Sequence, residues 1–397
     1  MDRNGKWLGL CAAMALGLAS TQAGAQEPLK LGGMVSLTGN GASIGKVAEI
    51  GWRMAVEDIN AQGGIAGRPV EFILADTLTD PTHALGEARR LIENEGIEAM
   101  VGPVTSQEVI PVTAVTTAAN LPQITAASSA TLTPEAAPYH FSNSPTGLAQ
   151  MIPNIDYAID VLGLTRLAII SDNGGMSKDA VAEMIRYLKS RELEPVEVQE
   201  FAFRTEDMTP QLFSLRSSGA EAVLIINSLG DDARKFLQNR DEIGWDVPVF
   251  GSLTMTNFSV GNAKILGQEA FDGVNSVQFV GMTYCEGDPV GASAYARFDK
   301  RAKETVSDLE RLGGSSSIIP YYIEPFIVKA AIEGAGSTDG DKVAAWIEAN
   351  AASMDNMLGT FSASSETHFL PSSKTLVVVK NAFAPREDGL TERAKCD

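Results

Sequence analysis

The sequence predicts an α/β protein whose sheets are mostly parallel. From Pro28 onward, short apolar runs typical of strands alternate with amphipathic stretches typical of helices, which is the pattern of consecutive βα units. Glycine and proline mark most of the boundaries between these stretches, as expected where the chain turns. A second series of such units begins beyond Ser142. We therefore expect two similar lobes that face each other across a cleft.

The elements of the first half follow one another with little interruption. One predicted helix carries Ile50, Met54 and Val56 on its inward side, and it stops at a pair of glycines that can adopt the left-handed conformation of a helix C-terminus. The predicted strands lie at 29–37, 70–75, 99–101 and 121–124, and the helices at 46–60, 82–94 and 108–119. Because a helix follows most of these strands, neighbouring strands are expected to run parallel.

The second half repeats this alternation. Its predicted strands lie at 166–171, 195–203, 222–227 and 247–251, and its helices at 146–162, 177–190, 209–218 and 231–243. A chain of 397 residues is too long for one ordinary hydrophobic core. The two series of βα units are therefore expected to form two domains.

The N-terminal stretch has the features of a secretory signal peptide. Arg3 and Lys6 precede an apolar run at 7–19, and Ala23-Gly24-Ala25 supplies the small residues of a cleavage site. We predict a signal peptide at 1–25, secretion to the periplasm, and no direct membrane insertion of the remainder. The net charge of −19 argues against nucleic acid as a partner.

The cysteines and histidines do not indicate a metal site. Cys285 and Cys396 remain after the predicted signal peptide, and in an oxidising compartment such a pair is a possible disulfide. Neither these cysteines nor the three histidines have a second ligand at the spacing of a zinc site. We predict no metal and no cofactor.

One short motif would suit an enzyme. Residues 41–45 match the G-x-S-x-G nucleophile elbow, with Ser43 as the nucleophile. That motif needs its serine at the turn directly between a strand and a helix, whereas the preceding strand is expected to end near Ser36. The chain is therefore not expected to be an enzyme, and an esterase that uses Ser43 is kept as a remote alternative.

The stretch 98–129 combines two strand-to-loop units that end in hydroxyl residues. One loop contains Thr105 and Ser106, and the next contains Ser128 and Ser129. Loops at the carboxyl ends of parallel strands line the ligand crevice of such sheets, and hydroxyls and backbone N–H groups at helix starts suit a carboxylate. The alternative is that these residues are ordinary helix N-caps.

A ten-residue run in the first half carries a family resemblance. Residues 58–67 read D-I-N-A-Q-G-G-I-A-G, which resembles the signature of the type I periplasmic solute-binding proteins of the leucine/isoleucine/valine-binding family. The segments 36–39, 76–81 and 167–172 follow in that family's order and spacing. The resemblance implies a two-lobed fold, with a mostly parallel sheet flanked by helices in each lobe and three hinge crossings.

The resemblance also implies how the chain divides between the lobes. The crossings are expected near Asn143, Val277 and Gly359. A helix-rich segment at 289–350 would belong to the first lobe and a strand at 375–379 to the second. The implied domains are 26–143 with 277–358 for lobe 1, 144–276 with 359–385 for lobe 2, and a C-terminal tail at 386–397.

Ligand-binding positions are carried over from the family one residue at a time. In the first lobe the positions that hold a ligand carboxylate match Ser106, Ser129 and the backbone carbonyl of Ala127. In the second lobe, relatives that bind amino acids have an acidic residue where this chain has Leu253. Three positions that are often tyrosine in relatives are Ile44, Met176 and Ser228.

Two further features of this predicted wall are open to more than one interpretation. Asp172 is the remaining acid there, and as a residue type it more often caps the following turn than contacts a ligand. Tyr321 and Tyr322 are expected before a helix at Glu324, where they either add aromatic surface or pack under a lobe.

These positions lead to one main functional hypothesis. The resemblance implies the periplasmic substrate-binding component of an ABC importer, which delivers its ligand to an inner-membrane permease with its ATPase, and we expect a monomer. Because Leu253 replaces an acid, an aromatic or branched organic acid is favoured as the ligand. The alternatives are a branched-chain or other apolar amino acid, with its ammonium group held by Asp172 or by carbonyls, and a ligand-sensing subunit of a membrane receptor.

Overall fold

A computed structural model describes residues 26–396, so the predicted signal peptide at 1–25 lies outside the described residues. The strands are β1 (Leu29–Val35), β2 (Val70–Asp76), β3 (Ala99–Val101), β4 (Gln123–Thr125), β5 (His140–Ser142), β6 (Leu167–Asp172), β7 (Glu197–Phe201), β8 (Ala222–Ile226), β9 (Val249–Gly251), β10 (Val274–Phe279), β11 (Thr283–Tyr284), β12 (Leu376–Lys380) and β13 (Thr391–Glu392). The α-helices are α1 (Ala42–Ala61), α2 (Pro81–Arg90), α3 (Ser106–Ala118), α4 (Gly147–Asp156), α5 (Gly175–Ser190), α6 (Thr209–Ser217), α7 (Gly230–Glu242), α8 (Leu253–Asn257), α9 (Ser259–Leu266), α10 (Ala294–Thr305), α11 (Ser315–Ala335) and α12 (Gly340–Asn350). Their alternation confirms the predicted α/β class.

The strands form two large sheets. The first has the order β2-β1-β3-β4-β5, and all of its pairs are parallel. The second has the order β12-β10-β9-β8-β6-β7 and is parallel except for the antiparallel pair of β10 and β12. We call the halves of the molecule around the first and second sheets lobe 1 and lobe 2. The strand order of the first sheet reverses between β1 and β3, and ligands of such sheets bind beyond the carboxyl ends of the strands at this point.

The core of lobe 1 is organised around Trp52 on α1. Its side chain is fully buried, its indole N–H donates to Glu324 Oε2 on α11 (2.7 Å), and its ring meets that of Tyr321 edge-on. Gly51 lets the two helices approach, because a Cβ there would lie 2.9 Å from the carbonyl oxygen of Ile318. This packing attaches α11 to lobe 1.

The chain positions at which the lobes are joined can be followed from the strand pairing. Asn143 directly follows β5, whereas Val277 lies inside β10. Beyond Gly359, residues 368–370 still bond to the edge of the first sheet, where the Ser142 N–H donates to the His368 carbonyl (2.9 Å). We infer that the chain passes between the lobes at 143–146, 280–282 and 371–375.

Two helices begin earlier than the sequence predicts. Helix α1 begins at Ala42, and the N–H of the preceding Gly41 donates to Thr79 Oγ1 (2.8 Å). Helix α11 begins at Ser315 and contains Tyr321, although the sequence suggests a start near Glu324. Proline lacks the backbone donor that a helix interior needs, so Pro320 favours a later start in the sequence pattern. Packing of α11 against α1 outweighs this local cost.

The C-terminal residues are fastened to the rest of the chain. Strand β13 pairs in parallel with β11, and Cys285 forms a disulfide with Cys396 across a sequence separation of 111 residues. A link over so long a stretch restricts the unfolded chain strongly.

Removal of this disulfide is expected to destabilise the protein. The double substitution Cys285→Ser and Cys396→Ser should lower the free energy of unfolding by about 2–5 kcal/mol, because the unfolded chain regains conformational freedom. Denaturant titration of the oxidised wild type and of the variant measures this difference. Reductant should move the wild type towards the variant and leave the variant unchanged. Equal transition midpoints and slopes for the two proteins would contradict this role.

Candidate functional site

The cleft between the lobes is the candidate ligand site. It lies beyond the carboxyl ends of β3 and β4 in lobe 1 and of β8 and β9 in lobe 2, with α11 along one side. The space between the walls, counted together with its opening to solvent, is about 730 Å³. The arrangement places the ends of both sheets around one cleft that opens to solvent.

The wall of lobe 1 presents the start of helix α3. Ser106 is the first residue of this helix and lines the cleft. Its Oγ accepts a hydrogen bond from the Ser128 N–H (3.1 Å), so its hydroxyl proton is free for another partner. The preceding Thr105 does not cap the helix with its side chain, because its hydroxyl donates to Glu108. No side chain therefore caps α3, and the N–H groups at its N-terminus favour an anion.

A hydrogen-bonded chain connects this wall to lobe 2. Ser128 Oγ donates to Ser144 Oγ (2.9 Å) and accepts from Gln150 Nε2 (3.1 Å). The other end of the amide, Gln150 Oε1, accepts from the Leu253 N–H (3.2 Å). These hydrogen bonds link the two walls of the cleft.

Five of the predicted binding residues line the cleft. They are Ile44, Ser106, Met176, Ser228 and Leu253. Leu253 is the first residue of α8 and is buried, so the position that is acidic in amino-acid-binding relatives presents an aliphatic side chain here.

Two predicted residues of the loop after β4, Ala127 and Ser129, are not among the residues that line the described cleft, and their role as ligand contacts stays a prediction. The Ala127 carbonyl accepts from Ser142 Oγ (2.6 Å). Ser129 is fully buried, and its hydroxyl donates to Asp179 on α5 of lobe 2. The preceding residues Ala126 and Ser128 line the cleft instead. The sequence offers two adjacent alanines and two adjacent serines, and only the loop conformation decides which of each pair faces the ligand.

Asp172 is a structural residue of lobe 2 and not part of the cleft lining. Its Oδ1 accepts from the Gly174 N–H (2.8 Å) and its Oδ2 accepts from the Ser228 N–H (2.5 Å). The carboxyl group is fully buried, and burial raises its pKa. Asp172 therefore caps the turn at Gly174 and holds the loop that contains Ser228. These contacts agree with the interpretation of Asp172 as a turn cap.

Sequence reasoning missed several lining residues. Phe258 and Asn257 follow β9, and Phe279 ends β10, so their location at carboxyl ends of strands was the signal that could have found them. Tyr321 lines the cleft from within α11, where it adds aromatic surface. Three aromatic side chains, those of Phe258, Phe279 and Tyr321, thus belong to the lining of the cleft.

The described lining of the cleft contains no charged side chain. Two acidic groups, Glu108 and Glu324, lie behind the walls, where other side chains donate hydrogen bonds to them. Burial raises the pKa of Glu324 well above its usual range, although the hydrogen bond from the Trp52 indole acts to lower this pKa. Burial also raises the pKa of Glu108, against bonds from hydroxyls that include those of Thr105 and Ser36. The cleft therefore offers a ligand neutral dipoles and apolar surface only.

Comparison with known proteins identifies the family. A family model described as "Periplasmic binding protein" matches residues 28–384. The chain belongs to this family. Its members are periplasmic solute-binding proteins and not enzymes. Ser43 lies in the first turn of α1, and its buried Oγ has no hydrogen-bond partner among residues 26–396.

One curated relative and two solved structures illustrate the similarity. A protein of Brucella suis named "Leu/Ile/Val-binding protein homolog 8" is 28% identical over 244 residues, which are 59% of this chain and 60% of the relative. LivJ of Streptococcus pneumoniae, a branched-chain amino acid transporter substrate binding protein in complex with isoleucine, has a TM-score of 0.73 at 19% identity and covers 92% of this chain and 98% of its own.

The second structure is a solute binding protein of an ABC transporter from Rhodopseudomonas palustris, in complex with 4-hydroxybenzoate. It has a TM-score of 0.75 at 17% identity over 94% of this chain and 96% of its own. These identities are low, so the likeness establishes the two-lobed fold of type I periplasmic binding proteins. In the part of this chain that the structure describes, no helix is long and apolar enough to cross a lipid bilayer.

A second buried acid behind the wall of lobe 2 should make stability depend on pH. Asp232 on α7 is buried, its Oδ1 accepts from the Arg204 N–H (2.9 Å), and its Oδ2 has no partner among residues 26–396. Burial and the neighbouring Asp172 raise its pKa from 3.8 to about 7. The folded protein therefore holds a proton that the unfolded chain has released, and this contribution to stability is lost as the pH rises from 3.8 to about 7.

The variant Asp232→Asn tests this pH dependence, because its amide does not ionise. The free energy of unfolding of the variant, relative to the wild type, should rise as the pH increases across this window. Denaturant titrations at a series of pH values give the difference. Asp241→Asn, at an exposed position of the same helix, is the control and should show no such trend. A constant difference between Asp232→Asn and wild type would contradict the assignment.

Proposed function

We propose that this chain is the periplasmic substrate-binding component of an ABC importer and that it binds a small aromatic or branched carboxylate between its lobes. The observation that carries this proposal is the uncharged lining of the described cleft, with the open start of α3 on one side. The carboxylate group of a ligand suits the start of α3, and an apolar remainder of the ligand suits the other lining residues.

The carboxylate is anchored by neutral groups of lobe 1. Ser106 supplies a free hydroxyl proton at the start of α3, which no side chain caps. Dipoles of this kind stabilise an anion without burying an ion pair, and an unpaired buried charge of the protein is avoided when the cleft is empty. Ser128, which supports both Ser106 and Gln150, completes this anchor.

The opposite wall disfavours an amino acid. The ammonium group of a zwitterion needs a carboxylate partner in a closed cleft, and leaving it unpaired costs about 3–5 kcal/mol. Leu253 occupies the position where such a partner stands in amino-acid-binding relatives, and no acid belongs to the described lining. The complex of the Rhodopseudomonas protein with 4-hydroxybenzoate supports an aromatic carboxylate as a ligand that this fold accommodates.

A branched-chain amino acid is the second candidate ligand. The name of the Brucella relative and the isoleucine in LivJ favour it. Its ammonium group would have to be held by carbonyl oxygens rather than by a carboxylate.

Transport would proceed by closure of the two lobes around the ligand. A ligand that contacts both walls shifts the population from open to closed forms. The closed form then docks on an inner-membrane permease with its ATPase, the partners that ABC transporters of this family supply. The predicted signal peptide supports delivery to the periplasm.

A thermal-shift screen followed by calorimetry tests the ligand class. Benzoates and branched aliphatic acids should raise the melting temperature, because a ligand specific to the folded state stabilises it. Ser106→Ala should weaken binding of the best acid about tenfold or more, since a hydrogen bond to a charged group contributes about 1.5–3 kcal/mol. Ser217→Ala, at an exposed position of α6, should bind like the wild type. A screen in which only amino acids shift the melting temperature would reject the proposal.

Substitution of Leu253 tests whether the wall of lobe 2 selects the ligand by its charge. Leu253→Glu should weaken binding of the organic acid about tenfold or more through like-charge repulsion, and it should improve binding of L-leucine by pairing with its ammonium group. Leu253→Gln is the matched control of similar size without charge. If the glutamine variant changes both affinities as much as the glutamate variant, shape and not charge selects the ligand at this position.

A further inference from the structure

Asn257 presents an unused hydrogen-bonding group to the cleft. It is the last residue of α8 and lines the cleft on the side of lobe 2. Its Oδ1 is buried and has no hydrogen-bond partner among residues 26–396. A buried amide oxygen without a partner is costly, so this position is expected to be satisfied by a molecule that enters the cleft.

The position of Asn257 is fixed by its helix and not by its side chain. Its backbone carbonyl accepts a hydrogen bond from Ser316 Oγ at the start of α11 (3.4 Å). Gly313 also packs against this carbonyl, because a Cβ at position 313 would lie 2.5 Å from its oxygen. The backbone is therefore held between α8 and α11, while the amide remains available for a ligand.

The groups around Asn257 limit what that ligand atom can be. Leu253 and Phe258 stand beside it in the same segment, and Phe279 lines the same space. This surface carries no charged group, so a charged donor would be desolvated without a counter-charge. A neutral hydroxyl avoids that cost, and because it both donates and accepts, it pairs with either end of an amide.

We propose that Asn257 binds a hydroxyl group at the end of the ligand remote from its carboxylate, so that the preferred ligands are aromatic acids with a ring hydroxyl. This inference rests on the proposed function, in which Ser106 and the start of α3 hold the carboxylate. The flat ring lies between the aromatic side chains of the cleft, where stacked and edge-on contacts are favourable. An acid without the hydroxyl leaves Asn257 Oδ1 unpaired.

Such a site discriminates more sharply than an apolar pocket does. A site built to hydrogen-bond a hydroxyl rejects the analogue that lacks it, because the protein group then stays buried without a partner. An apolar pocket of the same size distinguishes the two acids only weakly. Asn257 is thus a specificity-determining residue whose effect appears in a ratio of affinities.

The experiment compares benzoate with 2-, 3- and 4-hydroxybenzoate by isothermal titration calorimetry. In the wild type, the best hydroxybenzoate should bind about tenfold or more tightly than benzoate. In Asn257→Leu, which has a similar size and no amide, the two dissociation constants should come within about twofold of each other. Benzoate affinity should be retained, which also shows that the variant is folded. Asn257→Ala should give the same loss of preference.

A matched control is the same exchange at an exposed asparagine of lobe 1. Asn94→Leu should keep the wild-type ratio. An unchanged ratio in Asn257→Leu, or an equal loss for benzoate and hydroxybenzoate, overturns the role of Asn257 while leaving the carboxylate site in place. L-Leucine that binds the wild type and fails to bind Asn257→Leu also overturns it, because the amide then serves an ammonium group. If no acid binds the wild type, the proposed function itself fails.

Discussion

The uncharged lining of the described cleft is the constraint on which the other features of the site depend. Because no side chain of the described lining supplies a counter-charge, a ligand carboxylate can be bound only by neutral groups such as backbone dipoles and hydroxyl groups. Between β3 and α3 the chain turns at Gly102, which directly follows β3, adopts a positive φ of 80° and packs so closely that a Cβ would lie 2.3 Å from the Met34 carbonyl. A larger residue there would displace the start of α3. The backbone around Gly102 therefore sets the electrostatics of the site.

Side-chain hydrogen bonds are among the contacts that join the two lobes. Gln150 spans from Ser128 to Leu253, and Ser129 reaches Asp179 on α5. Hydrogen bonds of this kind contribute about 0.5–1.5 kcal/mol each. A ligand that contacts both lobes favours the closed form over the open form. Ser129 joins lobe 1 to α5 of lobe 2.

Acidic groups near the cleft serve the framework behind it. Asp172 binds the backbone N–H groups of Gly174 and Ser228 and so holds two loops of lobe 2 at a fixed distance. Glu324 accepts the Trp52 indole N–H inside lobe 1. Burial raises the pKa of both carboxyl groups. Because they face away from the cleft lining, neither supplies the partner that an ammonium group would need.

The sequence by itself determined the α/β class, the family and the hydroxyl at Ser106, because alternating patterns and glycine-rich motifs are local properties. Through the family resemblance it also predicts that Leu253 stands where amino-acid-binding relatives carry an acid. Only the tertiary structure decided that Ser128 and not Ser129 faces the cleft, and that Asn257 reaches it. Side-chain direction in an irregular loop or a one-turn helix has no period that a sequence can display, and it is fixed by contacts between distant segments.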